Sequence, residues 1–254
     1  MRVVITGAAS GIGRAVAEML VAQHQLLLSD RDGVGLTAVA DAIGPTAAAC
    51  VADLAAPDCG ATIVAAALAH MGGIDAVVSN AGIIAAGALV DLTPDDFDRI
   101  FAINTRATWA LAKAAYPHLA EAKGAFVATA SMSASQPTPG LGFYSSSKAA
   151  LVMLIRQLAL EWGKDGIRCN SVSPGPTYTP MTKGGYDDAD RRAHREATIP
   201  LGKLGQPEDI ANAILFLIGP NAGHITGVDL MVDGGMSNNL MPATGGGTGQ
   251  QASR

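Results

Sequence analysis

The residues best suited to acid–base chemistry are Tyr144 and Lys148, which lie four positions apart. On a helix, this spacing places both side chains on the same face. An ammonium group close to a phenol favours the phenolate and lowers the pKa of the tyrosine. A tyrosine tuned in this way can transfer protons near neutral pH. A solvated pair on a helix surface has the same spacing, so the pair needs further evidence before it indicates catalysis.

A second chemical feature is the glycine-rich segment from Thr6 to Gly13. Gly7 permits a tight turn, Gly11 lets the backbone approach a pyrophosphate, and Gly13 allows a helix to pack closely on a strand. The first turn of that helix offers unpaired N–H groups and the positive end of the helix dipole. Because the segment lies between an apolar run and a helical pattern, it predicts a dinucleotide-binding turn.

Acidic, polar and small residues also follow the next three apolar runs. Asp30 ends the second run, Asp53-Leu54 the third and Asn80-Ala81-Gly82 the fourth. In a parallel sheet, ligands bind where the carboxyl ends of the strands meet. We expect Asp30 to accept hydrogen bonds from the adenosine ribose hydroxyls, although turn formation also favours aspartate at strand ends.

The elements that must position these residues alternate between strands and helices. The strands are predicted at 3–6, 26–28, 47–51, 76–78, 126–129, 169–172 and 229–232. A long helix is predicted to begin at Thr93 with Pro94 and Asp96, and to end shortly after Pro117; another begins at Gln206. This alternation predicts an α/β protein with a single-domain Rossmann fold. We expect a doubly wound parallel sheet of about seven strands with helices on both faces over 1–238, followed by a flexible glycine-rich tail, 239–254.

The glycine turn, Asn80-Ala81-Gly82 and the Tyr144–Lys148 pair, in this order, resemble the short-chain dehydrogenase/reductase family over roughly the first 235 residues. The resemblance implies an NAD-dependent oxidoreductase that transfers a hydride between nicotinamide and a secondary alcohol or ketone. It adds Ser131 and Asn104 to form a catalytic tetrad. The sequence departs from the family pattern at two positions outside the tetrad. Ser79 stands where an asparagine is usual, and Thr177 replaces an aliphatic residue.

The resemblance also implies a role for each member of the tetrad. Ser131 hydrogen-bonds the substrate oxygen, and Tyr144 transfers the proton. Lys148 binds the nicotinamide ribose and lowers the pKa of Tyr144. Asn104 holds a water molecule that relays protons to solvent.

The motifs and the family pattern together assign two sets of ligand contacts. The predicted cofactor residues are Gly7, Ser10, Gly11, Ile12, Gly13, Asp30, Arg31, Asp53, Leu54, Asn80, Ala81, Gly82, Tyr144, Lys148, Pro174, Gly175, Thr177 and Thr179. The predicted substrate residues are Ser131, Ser133, Phe143, Tyr144, Tyr178 and Met181, with 181–200 as a lid. We predict NAD over NADP because the Asp30 carboxylate would repel a 2′-phosphate. Arg31 is the opposing feature, since it could pair with that phosphate.

Composition argues against several other classes of protein. The chain has 254 residues and a net charge of −5, with no Lys/Arg-rich stripe, so we expect no nucleic-acid partner. Its apolar runs are too short to span a membrane and its first residues do not resemble a signal peptide, which indicates a cytoplasmic protein. The three cysteines and scattered histidines match no metal-ligand pattern, so we expect no metal.

Further expectations concern assembly and alternative functions. We expect a homo-oligomer, a dimer or tetramer, formed through the helices that begin near Pro94 and Phe143. The apolar residues available to that interface or to the core are Trp109, Leu111, Leu151 and Leu154. One alternative function is a 3-oxoacyl-thioester reductase, although 118–124 contains a single lysine for an acidic carrier. The other is a non-catalytic nucleotide-binding regulator on the same fold, which would not need the whole tetrad.

Overall fold

The computed structural model describes residues 1–21 and 24–239. Seven strands form one sheet: β1 Arg2–Thr6, β2 Gln25–Asp30, β3 Ala47–Val51, β4 Ala76–Ser79, β5 Ala125–Thr129, β6 Arg168–Pro174 and β7 Asp229–Val232. Their order is β3-β2-β1-β4-β5-β6-β7, and every neighbouring pair is parallel. The strand order reverses direction between β1 and β4, and a crevice opens beyond the carboxyl ends of the strands at that point. The predicted parallel sheet of about seven strands is confirmed.

The described residues contain eight α-helices. They are α1 Gly11–Met19, α2 Gly33–Ile43, α3 Cys59–Met71, α4 Pro94–Phe101, α5 Ala107–Ala122, α6 Tyr144–Trp162, α7 Ala189–Ala197 and α8 Pro207–Ile218. The cores on the two faces are separate: Val4 and Val77 pack towards α3, α5 and α6, whereas Val3 and Val78 pack towards α1, α2 and α8. Successive side chains of a strand point to opposite faces, so near-continuous apolar strands can fill both cores.

The ends of two helices form as the sequence predicts. At the start of α4, the Thr93 hydroxyl accepts from the Asp96 amide, and the Asp96 carboxylate accepts from the Thr93 amide. At the start of α8, the Asp209 carboxylate accepts from the Gln206 amide at 2.8 Å, and the Asp209 amide donates to the Gln206 carbonyl at 3.0 Å. The long helix that begins at Pro94 is interrupted, however, by a π-helical segment, Ala102–Arg106, and then continues as α5.

Two further features bear on the sequence-based expectations. Among the described residues, no helix combines the length and the apolar character that crossing a membrane requires. Of the predicted tail, 239–254, only Asn239 belongs to the described residues, and the rest of that prediction lies outside them.

Candidate active site

The carboxyl ends of the central strands open into one cavity of about 980 Å³. Every predicted cofactor residue except Gly13 lies on its wall. Gly13 lies behind the wall, where a Cβ atom would overlap the Gly7 carbonyl oxygen. The absence of a side chain at Gly13 therefore lets α1 pack closely against the glycine turn, as the sequence predicts.

The glycine turn leaves hydrogen-bond donors available at the start of α1. Gly7 and Gly11 have φ of +68° and +54°, in the left-handed region that favours glycine. The Ser10 side chain does not cap the helix, and the first intrahelical bond runs from the Arg14 amide to the Ser10 carbonyl. The amides of residues 11–13 consequently have no acceptor within the helix. Donors of this kind at a helix N-terminus fit a pyrophosphate.

Asp30 is held in place at the end of β2 by two backbone amides. One carboxylate oxygen accepts from the Ala9 amide at 3.1 Å, and the other accepts from the Asp32 amide at 3.1 Å. These bonds fix the charge beside the glycine turn. Arg31 also lies on the cavity wall but is exposed.

The segment after β4 has two different functions in the site. The NH₂ group of the Asn80 side chain donates to the Thr6 carbonyl at 3.2 Å, and its side-chain oxygen accepts from the Thr129 hydroxyl at 3.0 Å. The Asn80 side chain therefore connects the ends of β1, β4 and β5. A Cβ atom on Gly82 would lie 3.3 Å from Lys148 Nζ and 3.2 Å from Asn104 Oδ1. The glycine therefore leaves room for these two side chains.

The two departures from the family pattern are accommodated by internal hydrogen bonds. The Ser79 hydroxyl shares a buried hydrogen bond of 2.9 Å with Thr108 on α5. The Thr177 hydroxyl donates to the Gly175 carbonyl at 3.0 Å, which satisfies this polar group in a buried position.

Tyr144 and Lys148 lie in the first turns of α6, and Lys148 Nζ is 5.8 Å from the centre of the Tyr144 ring. Lys148 is 4% exposed, and its ammonium donates to the Thr129 carbonyl at 2.8 Å. Burial lowers the pKa of Lys148 to about 8. Burial also raises the pKa of Tyr144, while a hydrogen bond with Ser131 acts in the opposite direction. The lowered Tyr144 pKa that the sequence predicts is thus not produced by the protein's own residues, because desolvation disfavours the phenolate.

Ser131 follows β5 and is oriented by the backbone of the next turn. Its side-chain oxygen accepts from the Ser133 amide at 3.1 Å. The Ser131 hydroxyl also forms the hydrogen bond with Tyr144, so both groups face the same part of the cavity.

Asn104 lies in the π-helical segment, and its side chain is engaged by the protein. Its oxygen accepts from the Ile83 amide at 2.8 Å, and its NH₂ group donates to the Ile83 carbonyl and the Ser147 hydroxyl, each at 3.0 Å. Both amide hydrogens are used in this way. The side chain therefore joins the segment after β4 to α6, and this positioning role differs from the predicted role of holding a water molecule.

The predicted substrate residues divide into two groups. Ser131, Ser133, Tyr144 and Met181 lie on the cavity wall, whereas Phe143 and Tyr178 do not. The Phe143 ring packs edge-on against Phe97, with 5.0 Å between ring centres. The Tyr178 hydroxyl donates to the Asp187 carboxylate. The prediction for these two side chains is corrected accordingly, since packing outside the cavity engages both of them.

Several residues of the cavity wall had not been predicted. They lie in loops or on the lid: Ile83, Ile84, Met132, Leu141, Arg195 and Met236. Ile83 and Met132 directly follow predicted motifs, so their neighbours could have indicated them. The others approach the cavity only through the folding of segments distant in sequence.

This fold and this site together define a class of protein. A glycine turn with free helical amides, a fixed carboxylate at the end of β2, and a buried Ser–Tyr–Lys group on one cavity are the features of a dinucleotide-dependent oxidoreductase.

Comparison with known proteins gives the family. A family model described as enoyl-(acyl carrier protein) reductase matches residues 7–237. An L-rhamnose 1-dehydrogenase (NAD(P)(+)) from Sphingomonas sp. (strain SKA58) is 38% identical, over 94% of this chain and 96% of that protein. The chain belongs to the short-chain dehydrogenase/reductase family, and its activity is hydride transfer between a nicotinamide cofactor and an alcohol or carbonyl group.

Solved structures agree with this assignment. A short-chain dehydrogenase/reductase of the glucose/ribitol dehydrogenase type from Brucella melitensis has a TM-score of 0.87 and 36% identity, over 92% of this chain and 95% of that chain. A 3-ketoacyl-(acyl-carrier-protein) reductase from Brucella melitensis, complexed with NADH, has a TM-score of 0.85 and 33% identity, over 92% and 97% of the two chains.

Proposed function

We propose that this chain is an NAD-dependent dehydrogenase that interconverts a secondary alcohol and its ketone. The observation that carries the proposal is the group formed by Ser131, Tyr144 and Lys148 on the cavity wall. Lys148 is almost completely buried, and no carboxylate pairs with it in the part of the chain that the structure describes. A buried lysine without an ion-pair partner is costly to the fold, which supports a functional reason for its position.

The residues present fit a dinucleotide cofactor. The amides at the start of α1 would bind the pyrophosphate, Asp30 the adenosine ribose and Lys148 the nicotinamide ribose. When bound, the nicotinamide supplies the hydride acceptor for oxidation or the hydride donor for reduction. The protein supplies binding, orientation and proton transfer.

The chain's own residues account for the proton chemistry. The Ser131 hydroxyl, which is hydrogen-bonded with Tyr144 in the absence of substrate, donates to the substrate oxygen when the substrate is bound. Tyr144 takes the proton of the substrate hydroxyl during oxidation and returns it during reduction. The Lys148 ammonium stabilises the phenolate that forms. Asn104 holds the segment after β4 against α6, so that the cavity keeps its shape.

We further propose that NAD is preferred to NADP. The Asp30 carboxylate is fixed by two amides, so it cannot turn away from a 2′-phosphate. Arg31 is exposed, and its side chain would have to be ordered before it could offset the repulsion between Asp30 and a 2′-phosphate. The relatives are consistent with either cofactor, since one is named for NAD(P)(+) and another was solved with NADH.

The test of the proposed function is NADH formation with a panel of cyclic alcohols, sugars, hydroxysteroids and hydroxyacyl thioesters. Substitution Tyr144→Phe should lower kcat by about 10²–10⁴-fold, the usual contribution of an acid–base group, and should leave NADH binding largely intact. Tyr116→Phe is a matched control, because the Tyr116 hydroxyl bonds Asp165 away from the cavity. A near-normal kcat for Tyr144→Phe would contradict the assignment.

A 3-oxoacyl-thioester reductase is the second candidate, and the likeness to the 3-ketoacyl-(acyl-carrier-protein) reductase supports it. Reduction of acetoacetyl-coenzyme A with NADPH, at a higher kcat/KM than for any alcohol with NAD, would favour this alternative. The sequence-based prediction of a cytoplasmic homo-oligomer remains part of the proposal.

A further inference from the structure

The lid helix α7 contributes one cation to the wall of the cavity. Arg195, on α7, lies on the cavity wall. All residues of this wall belong to the described chain, and the acidic ones are Asp30 and Asp53, at the ends of β2 and β3. Lys148 is the other cation near the reacting group. Arg195 thus lies on the wall without a carboxylate of that wall bonded to it.

Arg195 differs in its surroundings from Arg192, and it differs from Arg191 in that it lies on the cavity wall. Arg192 forms an ion pair of 3.1 Å with Glu196, and its guanidinium lies 5.7 Å from the Tyr178 ring centre. Arg195 has no ion pair within the described residues. Its charge acts on the neighbouring Tyr186 phenol, where it opposes the rise in pKa caused by burial. Tyr186 also lies on the wall, so the guanidinium and the phenol flank the same part of the cavity.

Several apolar side chains also contribute to this wall, beside the hydroxyl groups of Ser133, Thr138 and Thr182. Ile84, Leu141, Met181 and Met236 contribute to the wall. A sugar would leave several hydroxyl groups unpaired against such side chains, which costs binding energy. A molecule with an apolar body and an anionic end would instead bury the body and pair with the guanidinium.

We propose that Arg195 binds an anionic group of the substrate, so that the natural substrate is an acidic secondary alcohol or the corresponding oxo acid. The anion is a carboxylate or a sulfonate, both of which match the planar guanidinium donors. This inference rests on the proposed dehydrogenase function. It adds to that function the class of substrate and the residue that selects it.

The experiment measures binding and therefore does not depend on turnover. Calorimetry compares 4-acetylbenzoate with its neutral analogue 4-acetylbenzamide, each titrated into the protein with saturating NAD. We expect the carboxylate to bind about tenfold more tightly than the amide. This is at the lower end of the range for a charged hydrogen bond, because Arg195 is exposed and solvent weakens its interactions. Arg195→Gln should remove this preference without weakening the amide, and Arg195→Lys should retain part of it. Arg191→Gln, one turn earlier and off the cavity wall, should retain all of it.

Several results would overturn the proposal. These are equal affinities of the wild-type protein for the two ketones, no binding of either ketone, or an equal loss of affinity for both ketones in Arg195→Gln. Weaker NADH binding in Arg195→Gln would assign the arginine to the cofactor instead. A titration with 4-acetylbenzenesulfonate shows which anion is preferred. Failure of the proposed function has a separate signature, since the carboxylate would still bind selectively while no alcohol or ketone of the panel was turned over.

Discussion

Burial controls the protonation of the Tyr144–Lys148 pair. It lowers the pKa of Lys148 to about 8 and raises that of Tyr144, because removing water disfavours the charged form of each group. The hydrogen bond from Lys148 Nζ to the Thr129 carbonyl offsets only part of the cost of removing the ammonium from water. The charge on this lysine therefore changes close to physiological pH.

A pH dependence of stability follows from this lowered pKa. The folded lysine titrates at about 8 and the unfolded one near 10.5. Between these values the unfolded state binds the additional proton, so rising pH favours folding. Relative to Lys148→Met, we expect the wild-type free energy of unfolding to rise with pH across this interval, by at most about 1.4 kcal/mol per pH unit. The gain is complete above about pH 10.5, is lost progressively as pH falls from there to about 8, and is absent below about 8. Urea unfolding of both proteins without cofactor measures it, and a constant difference would contradict the lowered pKa.

Cofactor choice is also decided at the scale of one residue. Because the Asp30 carboxylate is fixed beside the glycine turn, Asp30→Ser should raise kcat/KM for NADP and lower it for NAD. Steady-state rates with both cofactors on one alcohol measure the change. Asp41→Ser removes the same charge from an exposed position off the cavity wall and should leave the ratio unchanged. NADP preference in the wild-type protein, or no gain for Asp30→Ser, would show that Arg31 determines the choice.

At the scale of elements, the π-helical segment between α4 and α5 is the main departure from regular structure. Segments of this kind are frequent at functional sites. Here the segment carries Asn104, which bonds the backbone of Ile83 and the Ser147 hydroxyl. The Ser147 hydroxyl in turn donates to the Tyr144 carbonyl at 2.7 Å. The segment thus connects the loop after β4 with the first turn of α6, which carries the reacting phenol.

We expect Asn104→Ala to destabilise the protein and lower its kcat together. Loss of the side-chain amide would remove the partners of the half-buried Ile83 N–H and C=O groups, at a cost of about 1–3 kcal/mol. Urea unfolding and steady-state rates measure the two effects. The control is Asn212→Ala, which changes an exposed asparagine of α8 and should have a much smaller effect on both stability and kcat. A variant of Asn104 with wild-type stability would show that its three hydrogen bonds are not needed to hold these elements.

At the scale of the whole molecule, apolar side chains remain exposed on the helices of one face. Trp109 on α5 is 46% exposed, and Met153 and Leu160 on α6 are 60% and 87% exposed. Of the residues considered from the sequence, Leu111 and Leu151 are instead buried in the core. Exposed apolar surface of this kind favours association.

We therefore expect a homo-oligomer held together through α5 and α6. Light scattering at micromolar concentration should give a mass of a dimer or tetramer, and Leu160→Glu should reduce it because a charge in an apolar interface is costly. Val34→Glu, an exposed substitution on α2, is the control. A monomeric wild-type protein would contradict the prediction.

The sequence by itself determined the features that depend on local spacing. Apolar runs separated by helical patterns predict the parallel sheet, because strand and helix periodicities differ. The glycine turn and the capping residues at Thr93 and Gln206 act over a few neighbouring positions. The strand-end residues share one cavity because parallel strands end on the same edge of the sheet. Asp30 could be placed in this way, the four-residue spacing singled out Tyr144 and Lys148, and the resemblance to the family added Ser131.

Only the tertiary structure decided which loop and lid side chains reach the cavity. Phe143 and Tyr178 lie beside predicted site residues but pack against Phe97 and Asp187 instead. Arg195 and Met236 reach the wall from distant segments. The lowered pKa of Lys148 and the hydrogen bonds of Asn104 likewise depend on groups far away in the chain. Burial and loop contacts are set by long-range packing, and local spacing carries no information about how segments distant in sequence meet.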